Sequence, residues 1–223
     1  MCMMGDVFVI VSEEQDKLFL QLKDIDANVI ADGIVDDQAY QNAKYRIVYI
    51  MKEANGGKGW SLTEFLKEGG RPQTWNTVAR WTEAILNLGT CRELNWTYLE
   101  DKNDERRKKY LRCIGVVNLK KTSGTFVSDE QEIFKSALEN RDIIKKQIDL
   151  YQPNIIICCG TGDAFVKSYF NNISFSWSRT KRGIWYIKKD DKVIISFLHP
   201  SARVSANILH YSLIDAVIEI LGA

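Results

Sequence analysis

The sequence lacks most of the features that would announce a cofactor, a compartment or a charged partner. No Cys-x-x-Cys pair occurs, and the five cysteines, Cys2, Cys91, Cys113, Cys158 and Cys159, are odd in number. Two of them sit inside an apolar run, so the pattern argues against a disulfide framework, a zinc site and an iron–sulfur cluster, and for reduced, buried thiols. The start, Met-Cys-Met-Met-Gly-Asp, does not read as a signal peptide, which needs a basic opening and a longer apolar region. No apolar run approaches the roughly 20 residues that cross a bilayer. The expectation is a soluble, cytoplasmic protein with no membrane partner, no metal and no cofactor. Charge of one sign is lacking too: the 223 residues carry a formal net charge of only +1. Nucleic acid, if it binds, must therefore meet a local basic patch. Repeats, low-complexity stretches and Pro/Gly/Ser linkers are absent, and there are three prolines, Pro72, Pro153 and Pro200, each read as a boundary.

What is present suits one packed α/β domain. Hydrophobic residues make up 45% and charged residues 26%, enough for a core and too apolar for a disordered chain. Residues 1–45 read as an N-terminal helical or irregular extension, with a short strand or amphipathic helix around residues 18–22 and a loop through Asp32 and Gly33. From there apolar runs alternate with helical periodicity. Strands are predicted at 46–51, 114–118, 155–159, 185–187 and 193–198. Helices are predicted from the Ser61–Glu64 capping box, over 74–88 with Gly89 as its stop, from a Ser128–Gln131 capping box to just before Pro153, and over 208–221. Strands with little alternation separated by helices point to a three-layer α/β/α sandwich around a mainly parallel sheet. Ligands of such sheets sit outside the carboxyl ends of the strands.

That rule selects four loops. The first, KEANGGKGW, offers three glycines for close backbone approach, Glu53 and Asn55 to position a water or a base, and Trp60 as a stacking face. Taken alone it is equally a tight strand-to-helix turn. The second holds Asn118, whose amide can read one edge of a pyrimidine or simply cap a turn. The third holds His199, one of two histidines, placed at a strand end where Pro200 forces the chain out. A neutral imidazole there can donate to charge developing on a ligand, whereas His210, inside the last helix, reads as a core histidine. The fourth, Gly160-Thr161-Gly162-Asp163, lacks both the full dinucleotide glycine pattern and a Walker lysine and reads as a plain strand-to-helix connection. Arg106, Arg107, Lys108 and Lys109 read as a solvated helical face.

The pair of motifs resembles the uracil-DNA glycosylase superfamily. An apolar strand running into KEANGG and a late strand running into HPSAR look like its two signature motifs, and the asparagine-ended strand VVN matches in position. The resemblance runs from about residue 45 to the C-terminus. It implies a DNA glycosylase that hydrolyses the N-glycosidic bond of uracil or another modified base flipped out of DNA, in base-excision repair. Glu53 would then orient the attacking water and His199 would hydrogen-bond the departing base. Asn118, with Asn55 and Trp60, would bind that base. Lys52, Lys58, Lys120, Lys121, Ser201 and Arg203 would contact the DNA, and a monomer would suffice. Three departures stand out: Ala54 where the most active members carry Asp or Asn, Lys52 for the leading glycine, and Asn55 for the proline. They leave open a catalytically inactive module of the same fold that binds nucleic acid or protein, as in phage defence. A hydrolase of small nucleosides or nucleotides is the third reading.

Overall fold

A computed structural model of the protein describes residues 11–90, 94–124, 128–170 and 175–222. In chain order the elements are α1 (Val11–Ile25), β1 (Gly33–Ile34), α2 (Asp37–Gln41), β2 (Ile47–Met51), α3 (Leu62–Lys67), α4 (Pro72–Leu86), α5 (Trp96–Glu100) and α6 (Asn103–Tyr110). A 3-10 turn (Leu111–Cys113) leads into β3 (Ile114–Asn118), followed by α7 (Glu130–Glu139), α8 (Arg141–Tyr151), β4 (Ile155–Cys159) and α9 (Gly162–Phe170). The chain closes with β5 (Ser178–Arg179), β6 (Trp185–Lys189), β7 (Lys192–Phe197) and α10 (Ala206–Leu221). The strands form one sheet in the order β1-β3-β2-β4-β7-β6-β5. Its four central strands, β3, β2, β4 and β7, are parallel, and at the two edges the β1–β3, β7–β6 and β6–β5 pairings are antiparallel.

The central strands are almost wholly apolar because both faces of the sheet are covered there. Ile47, Tyr49 and Met51 of β2 pack with Leu66, Trp81 and Leu213 under α3, α4 and α10. The intervening Val48 and Ile50 pack with Ile133, Ile148 and Phe165 under α7, α8 and α9. This is the expected α/β/α sandwich. Among the described residues no helix is long and apolar enough to cross a membrane.

Local signals account for most boundaries. Ser61 accepts the Glu64 N–H and starts α3, as its capping box predicts. Pro72 at the first position of α4 starts that helix two residues before the predicted start. The Ser128 box is corrected: Asp129 is the cap, accepting from the N–H groups of Gln131 and Glu132, and Ser128 is free for another bond. The single long helix predicted there is two, α7 and α8, which meet at Asn140.

Two further expectations fail for one reason, burial with a partner. Arg106 and Arg107 are not a solvated face: both are buried, and Arg106 donates to Glu83 at 2.6 Å. Nor are residues 11–45 an extension, since β1 pairs with β3 and Phe19, Ile30 and Tyr40 are buried. Cys158 and Cys159 are buried free thiols and Cys113 is half-buried. Cys2 and Cys91 lie outside the described residues.

Candidate functional site

The connection from β2 runs toward β3 and that from β4 runs toward β7, on opposite sides, which opens a crevice above the strand ends. A cleft of about 1120 Å³ lies there. It is lined by Lys52, Glu53, Asn118 and His199, with Trp60, Phe65, Arg71 and Thr74 along one side and Ser201 and Arg203 at the rim. Two of the loops are tied together past the strands. The N–H groups of Leu119, Lys120 and Gly124 donate to the carbonyls of Met51, Lys52 and Ala54, so the β2–β3 pairing continues beyond Asn118.

His199 is held from below and behind. Its Nδ1 accepts the backbone N–H of Ser201 at 3.1 Å, a two-residue turn that Pro200 enforces. An Nδ1 that accepts has no proton, so the neutral ring carries its proton on Nε2. Burial, and secondarily the charge of Lys52, push the His199 pKa below its ordinary value, which favours that neutral form. The Ser201 hydroxyl bonds Thr74 Oγ1 at 2.9 Å and links the turn to the start of α4. Gly160, at φ 70°, leaves the space beside His199 and Lys52 open, and its N–H bonds the Phe197 carbonyl. The Gly160–Asp163 loop is therefore scaffold, as its sequence suggests, and α9 begins inside it.

Asn118 is 2% exposed and lines the cleft. Its backbone N–H donates to Asp32 Oδ2 at 2.7 Å. Its side-chain amide has no hydrogen-bond partner among the described residues. The amide is not sealed from solvent, so a ligand in the cleft can use both its donor and its acceptor.

No family model and no curated protein matches this chain.

The Glu53 side chain is 5% exposed, with Ser128 Oγ donating to it at 2.7 Å and Lys120 Nζ 3.2 Å from its other oxygen. Its carboxylate lies flat on Gly124, where a Cβ would come within 1.9 Å of the Glu53 Cδ. Lys120 also bonds Glu132 at 2.7 Å. Burial alone would lower the Lys120 pKa, but its two carboxylates outweigh that and raise it.

The expected DNA-contacting set divides. Lys58, Ser201 and Arg203 are exposed at the rim, and Lys52 is partly exposed with a 3.6 Å pair to Glu130. Lys120 is committed to Glu53 and Glu132. Lys121 is a correction: it is 4% exposed and points into the core, where Asp32 at 2.9 Å and Gln147 at 2.6 Å take its charge and protons. Asn55 is exposed on its loop, and the Trp60 ring meets Phe65 edge-on at 5.5 Å with Nε1 buried and unpartnered.

Sequence reasoning missed four residues. Arg71 and Thr74 reach the cleft from the start of α4, for which the signal was Pro72 as a first helical residue. Ser128 reads as a cap, whereas Asp129 beside it caps better with a carboxylate. Asp32 reads as part of a loop, and nothing local distinguishes it from a turn aspartate.

Proposed function

We propose that this protein is a DNA glycosylase related to the uracil-DNA glycosylase superfamily, acting on a uracil or other modified base flipped out of DNA. The observation that carries the reading is the pairing, in one cleft, of a neutral imidazole with its Nε2–H free and an asparagine amide that has no hydrogen-bond partner among the described residues. The amide supplies one donor and one acceptor, the pattern needed to read a pyrimidine edge. The Nε2–H donates to the base oxygen as the C1′–N bond breaks and the base departs with the bonding electrons. Water then bonds C1′ of the oxocarbenium-like sugar and gives its proton to solvent. Glu53, fixed by Ser128 and Lys120, orients that water with its remaining lone pairs. Arg71, Lys58 and Arg203 with the Ser201–Thr74 pair grip the phosphates around the flipped nucleotide. The protein works in the cytoplasm as a monomer.

Ala54 favours a second reading. The third position of KEANGG offers no polar atom to the water, and the Glu53 carboxylate already has two partners. A module of the same fold that binds the flipped base without cleaving it fits those two facts. One experiment separates the readings. Duplex and single-stranded oligonucleotides carrying uracil, hypoxanthine, hydroxymethylcytosine or glucosylated hydroxymethylcytosine are incubated with the protein, and abasic sites are scored by alkali. Cleavage of one of them supports the enzyme; tight binding with no abasic sites on any supports the module.

A further inference from the structure

Behind Asn118 lies a buried polar cluster whose own members, Asp32, Lys121, Gln147 and Tyr151, do not line the cleft. Asp32 is 0% exposed and accepts four hydrogen bonds: the Asn118 N–H at 2.7 Å, two from Lys121 Nζ at 2.9 and 3.1 Å, and one from Gln147 Nε2 at 2.8 Å. Lys121 gives its third contact to Gln147 Oε1, and Gln147 also donates to the Tyr151 hydroxyl. Every member is satisfied, the condition under which a buried ion pair rigidifies its surroundings.

The reason for a carboxylate at this place is visible in the strand register. β1 pairs Gly33 with Val116 and Ile34 with Gly115. Continued by two residues, the same ladder would set Ala31 opposite Asn118. Ala31 does not stay: its carbonyl accepts the Leu62 N–H and its own N–H bonds the Trp60 carbonyl. The chain has turned away to hold the loop that carries Trp60, and the last amide of β3 is left without its ladder partner. Asp32 supplies that partner with its side chain. Gly33 makes the approach possible, since a Cβ there would fall 2.0 Å from Gln15 Oε1 and 2.3 Å from the Tyr151 hydroxyl oxygen.

We propose that Asp32, with Lys121 as its buried counter-ion, is a positioning residue for Asn118, replacing the missing ladder bond and fixing where the Asn118 amide points in the cleft. The selectivity it confers rests on the glycosylase reading; the anchor itself does not. A site that reads a base edge loses up to about 10²-fold for a 1 Å misplacement, so the strand end that carries the reader needs a rigid anchor. The Ala31 to Asp32 segment gives one carbonyl to the Trp60 loop and one carboxylate to Asn118, and so ties two walls of the cleft to each other.

The test uses the full chain with Asp32→Ala/Lys121→Met and Asp32→Asn/Lys121→Met, which remove both charges together and leave no lone buried ion. Amide hydrogen exchange is read at Asn118, and single-turnover base release is compared between uracil and cytosine in otherwise identical DNA. The alanine pair is expected to raise Asn118 exchange at least about tenfold and to cut the uracil-over-cytosine ratio by about tenfold. The asparagine pair, which keeps an acceptor, should recover part of both. A merely structural role would not move that ratio. Unchanged exchange and an unchanged ratio in the folded alanine pair would overturn the proposal. Should that pair fail to fold, the wild type decides: an Asn118 amide exchanging as fast as exposed loop amides defeats the anchor, and one protected like the core of β3 supports it. Failure of the glycosylase reading is seen separately, as no base released by the wild type, and leaves the exchange result standing.

Discussion

The Ser201 N–H points at Nδ1 of His199 at 3.1 Å, and this one bond decides which face of the imidazole meets the cleft as a donor. With Nδ1 occupied as an acceptor, the neutral ring can only offer Nε2–H. A donor placed where negative charge develops typically contributes about 2.7–4 kcal/mol to the barrier. His199→Ala should therefore slow single-turnover base release by roughly 10²–10³, with a much smaller change in DNA affinity. Rapid-quench measurement on a confirmed substrate checks it, and a wild-type rate in that variant would remove His199 from the mechanism.

Glu53 depends on a glycine it touches. A Cβ at Gly124 would stand 1.9 Å from the Glu53 Cδ, which cannot be relieved by a small rotation. Gly124→Ala should push the carboxylate off Ser128 and Lys120 and cost about 1–3 kcal/mol of stability by overpacking. Urea unfolding measures the loss. Base release should fall as well, and retention of both properties would show that Glu53 is not held where the chemistry needs it.

The basic rim is short, so the salt dependence should be shallow. Arg203→Ala and Arg71→Ala should each weaken binding alike on all sequences and lower the slope of log K against log salt by about one. Fluorescence anisotropy across a salt series reads this directly. An Arg203 variant that changes which base is cut, with affinity intact, contradicts a backbone contact.

Both histidines make the fold acid-sensitive. The His210 pKa is pushed down to about 4 by burial first and then by Arg80 and Arg106, with Glu83 opposing. Between about pH 6.5 and 4 the unfolded chain holds the extra proton, so stability falls as pH drops through that window. Full expression of the shift amounts to about 3 kcal/mol. His199, also lowered, acts in the same direction. Urea unfolding at pH 7 and pH 4.5 should show the loss, and His210→Leu should remove most of it. A wild-type midpoint equal at both pH values would contradict the assignment.

The four central strands and β6 were legible in the sequence, the central ones because a parallel sheet covered on both faces demands apolar runs, and 114–118 and 155–159 match to the residue; the two-residue edge strands β1 and β5 were not, being too short to carry a pattern. The strand-end rule then marks Glu53, Asn118 and His199, which do line one cleft. Local chemistry also fixes Ser61 as a cap, since a hydroxyl three residues before a glutamate acts within its own turn.

What only the tertiary structure decided is where charge goes. Lys120 and Lys121 are neighbours in a loop and look alike in sequence. Strand geometry sends one to Glu53 at the cleft and the other into the core against Asp32, 89 residues away. Arg106 is drawn inward by Glu83 in the same manner. Lys121 and Arg106 are buried where a carboxylate from a distant segment meets them, because an unpaired charge in the interior is prohibitive. That meeting is a property of the fold, and no window of sequence contains both partners.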